Sequence, residues 1–319
     1  MSSVVVIGGG TGSYTLLRGL KKYTNDITAI VSMFDSGGST GRLRDEFGYL
    51  PPGDVRRCIL ALTPEKSDTD VLRSLLDFRF KKGEGLNGHS MGNLLLTALK
   101  EITQDEILAI EKLSSLLGLK GRVLPVTLDN SHLCAELEDG TIVKGETNID
   151  IPKHDPKLRI KKLFLEPNAN ALIDTIESIK NSDLVVIGPG DLYSSLIPNL
   201  LVRGISDAIK SSKAKKVYVC NVMTKYGETH GFKASDFLNE LEKYLGKGTI
   251  QYMICNTEKG TNELLKIYAE ENAFPVELDE QELINRVNLI KGDFINEGVL
   301  VRHDSRKLAR TIIDLKQNE

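Results

Sequence analysis

The sequence lacks the residues and motifs that mark several classes of protein. It has no tryptophan and only four cysteines in 319 residues: Cys58, Cys134, Cys220 and Cys255. These cysteines are widely spaced within apolar stretches, and neither a CxxC nor an HExxH motif is present. This pattern argues against a disulfide framework and against a structural zinc site. We expect all four to be buried thiols in a reducing compartment.

A strong charge of either sign and a long apolar run are also missing. The formal net charge is -3, so we expect neither nucleic acid nor an anionic membrane surface as a partner. The first residues lead directly into an apolar strand, without a basic leader and without a run long enough to span a bilayer. We therefore expect a cytoplasmic protein with no membrane insertion.

The apolar patterns alternate between two periods along the chain. Short runs rich in β-branched residues, typical of buried strands, occur at 3–8, 28–33, 184–188, 216–220 and 250–254. Helical patterns follow at 12–23, 53–63, 69–79, 91–102, 104–117, 169–180, 195–211, 234–244, 261–271 and 304–316. The alternation predicts an α/β fold with a Rossmann-like, doubly wound and mostly parallel sheet.

One segment departs from this alternation. Between 121 and 166 the sequence has short strand patterns at 122–126, 134–138 and 141–144, and the last two flank the pair Asp139-Gly140. An Asp-Gly pair between two alternating runs indicates a β-hairpin. We interpret residues 1–319 as a single α/β domain and 121–166 as a small β-rich insertion within it.

The first strand pattern runs straight into the glycine-rich turn Gly8-Gly-Gly-Thr-Gly-Ser13. Such a turn directs backbone N–H groups and a helix N-terminus at one point, where a phosphate binds. The same turn also serves simply to close a tight strand-to-helix connection. The candidate ligand-binding residues here are Gly9, Gly10, Thr11, Gly12 and Ser13.

A second small-residue segment follows the second strand pattern. Asp35 lies where a dinucleotide-binding fold places the acid that accepts a hydrogen bond from a ribose. The loop after it is rich in small hydrogen-bond donors and ends in arginines, which suits a phosphate or a carboxylate. An exposed flexible loop is the alternative. The candidates are Asp35, Ser36, Gly37, Gly38, Ser39, Thr40 and Arg44.

Three further segments place polar residues at predicted strand or helix ends. Small residues and a histidine precede the apolar helix at 91–102, and a second strand–glycine–helix turn begins at Gly188. Two such turns face each other across the crevice at the carboxyl ends of parallel strands in open α/β sheets. The strand pattern at 216–220 ends just before Asn221, Thr224 and Glu228, which are candidates through their place at the same edge of the sheet. His89 is equally well interpreted as a structural histidine. The candidates are His89, Ser90, Asn93, Gly188, Pro189, Gly190, Asp191, Tyr193, Ser194, Asn221 and Thr224.

The sequence has no Gly-x-Ser-x-Gly elbow, and no lysine follows the first glycine turn as in a P-loop. Any catalysis would therefore be a transfer guided by phosphate positioning and by Mg²⁺. Asp35 and Asp191 are the first candidates to hold that ion, with Asp45 and Asp54 as the others. Solvated caps and ion-pair partners are the alternative for these carboxylates.

Taken together, these segments resemble the CofD-like family, and within it the bacterial YvcK branch of gluconeogenesis factors. The resemblance covers the whole chain in order and also includes Leu50-Pro-Pro-Gly-Asp54 and Gly88-His-Ser-Met-Gly-Asn93. It implies a Rossmann-like core. One branch of the family transfers a 2-phospholactyl group to a deazaflavin precursor with Mg²⁺. The other is associated with growth on gluconeogenic carbon sources, cell shape and UDP-sugar binding.

This chain has Ser36-Gly-Gly-Ser-Thr-Gly-Arg42 after Asp35 and so resembles the second branch. We expect a cytoplasmic regulatory protein whose small-molecule ligand is a nucleotide such as a UDP-sugar, with phosphates between the two glycine turns. A phospholactate transferase is the first alternative, and an NAD(P)-binding protein is the second. A homodimer is possible. Ser305, beside Arg302 and Arg306, is a candidate phosphorylation site for a Ser/Thr kinase, although a plain helix cap also explains it.

Overall fold

The computed structural model describes residues 2–65, 67–296, 298 and 300–317. Its main feature is a seven-stranded sheet with the order β10-β9-β8-β7-β1-β2-β3, and every strand pair in it is parallel. The strands of this sheet are β1 (Val4–Gly8), β2 (Ile27–Val31), β3 (Arg122–Pro125), β7 (Leu184–Ile187), β8 (Lys215–Val219), β9 (Tyr252–Asn256) and β10 (Asn288–Gly292). The prediction of a doubly wound, mostly parallel α/β fold is confirmed.

Helices flank the sheet because the crossover between two parallel strands must return over one of its faces. The helices are α1 (Gly10–Leu20), α2 (Gly38–Phe47), α3 (Gly53–Leu62), α4 (Ser67–Asp77), α5 (Met91–Thr103), α6 (Glu106–Leu116), α7 (Glu146–Asp150), α8 (Ile173–Asn181), α9 (Ile197–Leu201), α10 (Ile205–Ser211), α11 (Ala234–Leu245), α12 (Asn262–Glu270), α13 (Glu280–Leu283) and α14 (Ser305–Gln317). None of the helices in the described ranges is both long and apolar enough to cross a membrane.

The strand order reverses at β1, and this reversal positions the site. From β1 the chain moves outward through β2 to β3, then returns to β7 on the other side of β1 and continues outward to β10. The connections after β1 and β7 therefore leave in opposite directions. Open α/β sheets have a crevice at such a point, outside the carboxyl ends of the strands.

The β-rich segment divides between two sheets. The predicted strand at 122–126 does not belong to the insertion, because β3 pairs in parallel with β2 at the edge of the large sheet. A separate antiparallel sheet with the order β5-β4-β6 consists of β4 (His132–Leu137), β5 (Ile142–Lys144) and β6 (Ile160–Glu166). The predicted hairpin at Asp139-Gly140 joins β4 to β5, and Gly140 has a φ of 88°.

Two helix predictions need correction. The segment after Asp35, interpreted as a loop with an exposed flexible loop as the alternative, is helical: α2 begins at Gly38, and most of its first turn is buried. The helix predicted at 195–211 is broken into a π-helical turn at Leu192–Leu196, then α9 and α10. Pro198 lies in the first turn of α9, where a proline needs no helical N–H donor.

The core is continuous between the two sheets. Leu133 and Leu163 of the small sheet belong to the same buried apolar cluster as Val5 and Val186 of the large one. All four cysteines are buried free thiols, as the sequence predicts. Shared burial of this kind fixes the small sheet against the main sheet.

Candidate functional site

A cleft of about 570 Å³ lies at the carboxyl ends of the central strands. The loops after β1, β2 and β7 line it, together with α7 and the segment before α14. Sixteen of the residues predicted from the sequence line this cleft: Gly9, Gly10, Thr11, Gly12, Asp35, Gly37, Gly38, Ser39, Thr40, Asp54, Asn93, Pro189, Gly190, Asp191, Ser194 and Asn221. The topology therefore brings together segments far apart in the sequence.

The two glycine turns are in direct backbone contact. A Cβ atom added to Gly12 would overlap the carbonyl group of Pro189, and one added to Gly8 would lie 2.6 Å from the Ser13 hydroxyl. Gly188 and Ser13 lie behind this contact and do not line the cleft. Asn221 supports the second turn, since its Nδ2 donates to the Gly190 carbonyl at 3.0 Å. Little room is left between the turns for the phosphates expected there.

The N-terminus of α1 is occupied by a carboxylate from the chain itself. Asp54, in the first turn of α3, accepts a hydrogen bond from the Gly10 N–H, and a Cβ atom added to Gly9 would overlap its carboxylate. Burial, then the nearby charge of Asp35, raises the pKa of Asp54 to about 6. A phosphate that binds at the N-terminus of α1 must therefore approach a position that the Asp54 carboxylate already occupies.

Asp35 also lines the cleft, and it bonds the backbone of the residue that precedes α2. Its Oδ1 accepts the Gly37 N–H at 2.9 Å, and its carboxylate also accepts from the Thr40 hydroxyl. Burial raises its pKa despite these bonds. Asp35 and Asp54 form a pair of carboxylates with raised pKa values, and a Cβ atom added to Gly53 would lie 2.8 Å from Asp35 Oδ2.

A buried hydrogen-bond network joins α2 to α3 and α5, and four of its residues also line the cleft. The Asn93 Nδ2 donates to the Ser39 and Thr40 hydroxyls, and its Oδ1 accepts from Arg56 Nε at 3.0 Å. His89 Nδ1 lies 3.1 Å from the Ser39 hydroxyl. His89 and its neighbour Ser90 are buried and do not line the cleft, as expected of residues that support α2.

The insertion also contributes acidic residues to the cleft. Ser36 lies behind the cleft lining, where its hydroxyl accepts the Thr147 N–H at 3.1 Å and its backbone N–H donates to Glu146. Burial, then the charges of Asp35 and Asp150, raises the pKa of Glu146 to about 8. These bonds join α7 to the loop after β2 and bring Glu146 and Asp150 into the cleft.

Asp191 belongs to a different cluster from Asp35. Carboxylate oxygens of Asp150, Asp191 and Glu228 lie within 4.8 Å of one another, a spacing compatible with a metal ion. The Lys225 ammonium lies among them, 3.2 Å from Asp191 Oδ2 and 2.9 Å from Glu228 Oε1. Burial alone would lower the pKa of Lys225, but the three carboxylates outweigh this effect and raise the pKa above its ordinary value. The lysine ammonium therefore supplies the cation of this cluster.

The remaining predicted residues lie away from the cleft lining. The Arg44 guanidinium donates to Asn130 Oδ1 and the Ser131 carbonyl, each at 3.1 Å, at the base of the small sheet. Thr224 is buried and bonds the backbone of Phe274. Tyr193 is buried against Phe232, and Asp45 is exposed on α2 outside the cleft.

One end of the cleft is apolar. Val222 and Val301 are buried there in a small cluster separate from the main core, and Met223 and Tyr268 pack against it. All four side chains line the cleft. An aromatic ring and branched aliphatic groups at one end of a polar cleft suit a planar ring system. The sequence offered no signal for this end, because its residues come from three separate segments.

Other lining residues were also missed from the sequence. Arg57 reaches the Thr11 hydroxyl at 3.5 Å, and Arg56, Arg79 and Arg302 line the cleft beside it. The sequence pattern of α3 does not show which way Arg57 points, and the packing of α3 against α1 brings it to the first glycine turn.

Ser305 lies outside the cleft, at the first position of α14. The Asp304 Oδ1 accepts the backbone N–H groups of Arg306 and Lys307, each at 2.8 Å. Asp304 is therefore the residue that caps this helix. Ser305 itself is half-buried, and its backbone packs against Gly19 of α1.

Sequence and structure comparisons agree on the relatives of this chain. The family "2-phospho-L-lactate transferase CofD" matches residues 4–295. Proteins named gluconeogenesis factor are 44% identical in Halalkalibacterium halodurans, over 98% of this chain and 96% of that protein, and 42% identical in Bacillus subtilis, over 98% and 97%. The crystal structure of a UPF0052 family protein from Bacillus halodurans has a TM-score of 0.92 at 43% identity, covering 98% of this chain and 99% of the other.

Proposed function

Because the chain belongs to the CofD family, we propose that its cleft binds a nucleotide-activated ligand, with a UDP-sugar as the first choice. In this proposal the protein is a gluconeogenesis factor like its named relatives, and ligand binding regulates cell shape and envelope synthesis according to carbon supply. The observation that supports it is the division of one cleft into an apolar end, a basic edge and an acidic floor.

The apolar end is the place for the base. Tyr268 and Met223 offer a flat, polarisable surface against the buried Val222 and Val301. Stacking of a base on an aromatic side chain contributes about 1–3 kcal/mol and depends little on which base is bound. The preference for uracil is therefore an expectation from the family resemblance, and the experiment below includes other bases.

The basic edge is the place for the phosphates. Arg57, which reaches the Thr11 hydroxyl of the first glycine turn, and Arg302, the residue after Val301, both line the cleft. A guanidinium binds phosphate oxygens in bidentate fashion. Direct binding of a phosphate to the Gly10 N–H competes with Asp54. This competition disfavours a dinucleotide bound in the usual way, with its pyrophosphate on the glycine turn.

The acidic floor suits Mg²⁺ and sugar hydroxyls. Asp35 and Asp54 offer an all-oxygen donor set, and a bound cation would lower the raised pKa of each and so favour its ionised form. These two carboxylates would hold the ion, which would supply positive charge for the ligand's phosphates. Glu146 and Asp150 then remain as acceptors for hydroxyl groups.

The experiment compares ligands on the full chain by calorimetric titration. We expect saturable binding of a UDP-sugar, stronger with Mg²⁺, and weaker binding of NAD and GDP. Tyr268→Ala should weaken binding about tenfold or more, because the base loses its stacking surface. The matched control is Tyr23→Ala, which removes an exposed tyrosine outside the cleft. Binding of NAD alone, or equal loss in both variants, would contradict the proposal.

The second candidate is a transferase of the phospholactate type, which the family match and the carboxylate pair of Asp35 and Asp54 favour. Its test is incubation with Mg²⁺, a nucleotide-activated phospholactate and a deazaflavin acceptor, followed by chromatography. Formation of the phospholactyl product, lost in Asp54→Asn, would replace the regulatory proposal with an enzymatic one. Absence of product, with UDP-sugar binding intact, supports the regulatory protein.

A further inference from the structure

A second cavity of about 620 Å³ lies beside the cleft, between α1, α3 and α4. We call it the arginine recess, because five arginines line it: Arg56, Arg57, Arg73, Arg79 and Arg302. Asp77 is the one carboxylate among its lining residues. Such an excess of positive charge on a concave surface is unusual in a chain whose formal net charge is -3.

Three of these guanidiniums are held in place by the fold. Arg56 is buried and bonds Asn93 and Asp77. Arg73 Nη1 donates to the Thr63 carbonyl at 2.8 Å, and Arg79 Nη1 donates to the Gly88 carbonyl at 2.6 Å. A guanidinium has five N–H donors in a rigid fork, so one anchoring bond orients it and leaves the remaining donors for a ligand.

Within the described ranges, Arg56 is the one arginine of the recess that forms an ion pair, with Asp77 at 3.0 Å. Arg57 has a single long hydrogen bond, to the Thr11 hydroxyl at 3.5 Å, and no acceptor within the described ranges bonds the Arg302 guanidinium. Burial lowers the pKa of the Arg56 guanidinium. The pair with Asp77 raises this pKa, the nearby charges of Arg57 and Arg79 lower it, and the net shift is downward. Crowding of like charges costs free energy that a bound anion would recover.

We propose that the arginine recess is a binding site for a small phosphorylated metabolite carrying at least two phosphoryl groups. Several oriented guanidiniums match the oxygens of phosphoryl groups better than they match a single carboxylate. The apolar lining is limited to Tyr14 and Leu60, which provides no enclosed surface for a base. The ligand is therefore a compact polyanion and differs from the nucleotide proposed for the cleft.

The recess and the cleft share a boundary. Thr11 and four of the arginines line both cavities, whereas Arg73 and Tyr14 line the recess alone. Occupancy of the recess should therefore change the affinity of the cleft for its own ligand, by linkage through the shared guanidiniums. This coupling rests on the proposed function, but binding in the recess does not.

Inorganic pyrophosphate is the probe, titrated into the full chain by calorimetry at low and at moderate salt. We expect saturable binding that weakens with salt, and a loss of about tenfold or more in Arg73→Gln, because that guanidinium lies only in the recess. Arg73→Lys keeps the positive charge but loses the forked N–H donors of the guanidinium. Its affinity for pyrophosphate should therefore lie between those of the unmodified chain and Arg73→Gln. Arg122→Gln, which removes an exposed arginine outside both cavities, should bind as the unmodified chain does.

The outcomes separate this proposal from the one for the cleft. Tyr268→Ala should retain pyrophosphate binding even where it loses nucleotide binding. Thermal unfolding of Arg73→Gln checks that the loss is not unfolding, since Arg73 also bonds the Thr63 carbonyl. No saturable binding of pyrophosphate, equal binding by Arg73→Gln, or binding only of a phosphopeptide and not of pyrophosphate would overturn the proposal. Simple competition between pyrophosphate and a UDP-sugar in Arg73→Gln would place the anion in the cleft instead.

Discussion

Gly12 packs against the carbonyl group of Pro189, so the two glycine turns of this protein touch through their backbones. The contact joins the loop after β1 to the loop after β7 on either side of the strand reversal. In a dinucleotide-binding fold the corresponding glycines allow a pyrophosphate to approach. Here Gly12, the fourth glycine of the turn, packs against Pro189 and also lines the cleft with Gly9 and Gly10.

Gly12→Ala should therefore destabilise the protein by more than Gly10→Ala does. The added methyl group of the first variant overlaps the backbone of Pro189, which we expect to cost about 1–3 kcal/mol or more of unfolding free energy. Gly10 has a φ of +65°, and its nearest neighbour for a Cβ is the Ser195 hydroxyl at 3.6 Å. The cost of Gly10→Ala is therefore backbone strain of about 1–2 kcal/mol.

Urea unfolding measures both variants. Gly248→Ala is the matched control, because Gly248 has a φ of +74° with no atom within 4 Å of the added Cβ. Gly10→Ala and Gly248→Ala should lose similar amounts of unfolding free energy. Equal stability of Gly12→Ala and the control would show that the two turns can separate at no cost.

The buried acid Glu146 should make stability depend on pH. Its pKa is raised from 4.5 to about 8, so above pH 4.5 the folded state holds a proton that the unfolded state releases. The free energy of unfolding should therefore fall as pH rises through this range, by at most about 1.4 kcal/mol per pH unit from this group. Asp54 and Glu228, with pKa values raised to about 6 and about 7, act in the same direction.

Glu146→Gln should flatten that fall, because the amide does not titrate. Urea unfolding at intervals between pH 5 and pH 8 provides the comparison, and Glu177→Gln, on the exposed face of α8, is the control. Identical pH profiles for the unmodified chain and Glu146→Gln would mean that Glu146 is ionised in the fold throughout.

Asn93 should matter for folding more than for ligand contact. Its amide bonds Arg56, Ser39 and Thr40, all in a buried region. Asn93→Ala leaves the buried Arg56 Nε without its acceptor, and we expect it to lose about 2–3 kcal/mol of unfolding free energy. Asn239→Ala, which removes one exposed bond from Arg286, should lose less than about 1 kcal/mol. A similar cost for the two variants would contradict the supporting role.

Phosphorylation of Ser305 stays a prediction. Because Asp304 already satisfies the first N–H groups of α14, a phosphate there gains from the basic residues Arg302 and Arg306 and not from the helix end. Phosphopeptide mapping of protein from cells grown on gluconeogenic and on glycolytic carbon sources should detect the modified serine. An unmodified Ser305 under every condition would refute the prediction.

The sequence by itself determined the parallel sheet, most of the helices and the segments that meet at the site. Strand and helix periods are local, and the glycine turns at Gly8–Ser13 and Gly188–Gly190 mark strand ends that parallel pairing must bring to one edge. The hairpin at Asp139-Gly140 was likewise readable, because its turn requires a positive φ that glycine adopts freely.

Only the tertiary structure decided which side chains face the cleft. Arg44 turns away to the small sheet, and Arg57 turns toward the first glycine turn, although both are arginines within ten-residue helices. The sequence also could not assign the strand at Arg122–Pro125 to the large sheet, because its pairing with β2 is a long-range contact with no local signal. Propensity acts over a few residues, whereas side-chain direction, burial and the raised pKa of Asp54 depend on neighbours distant in the chain.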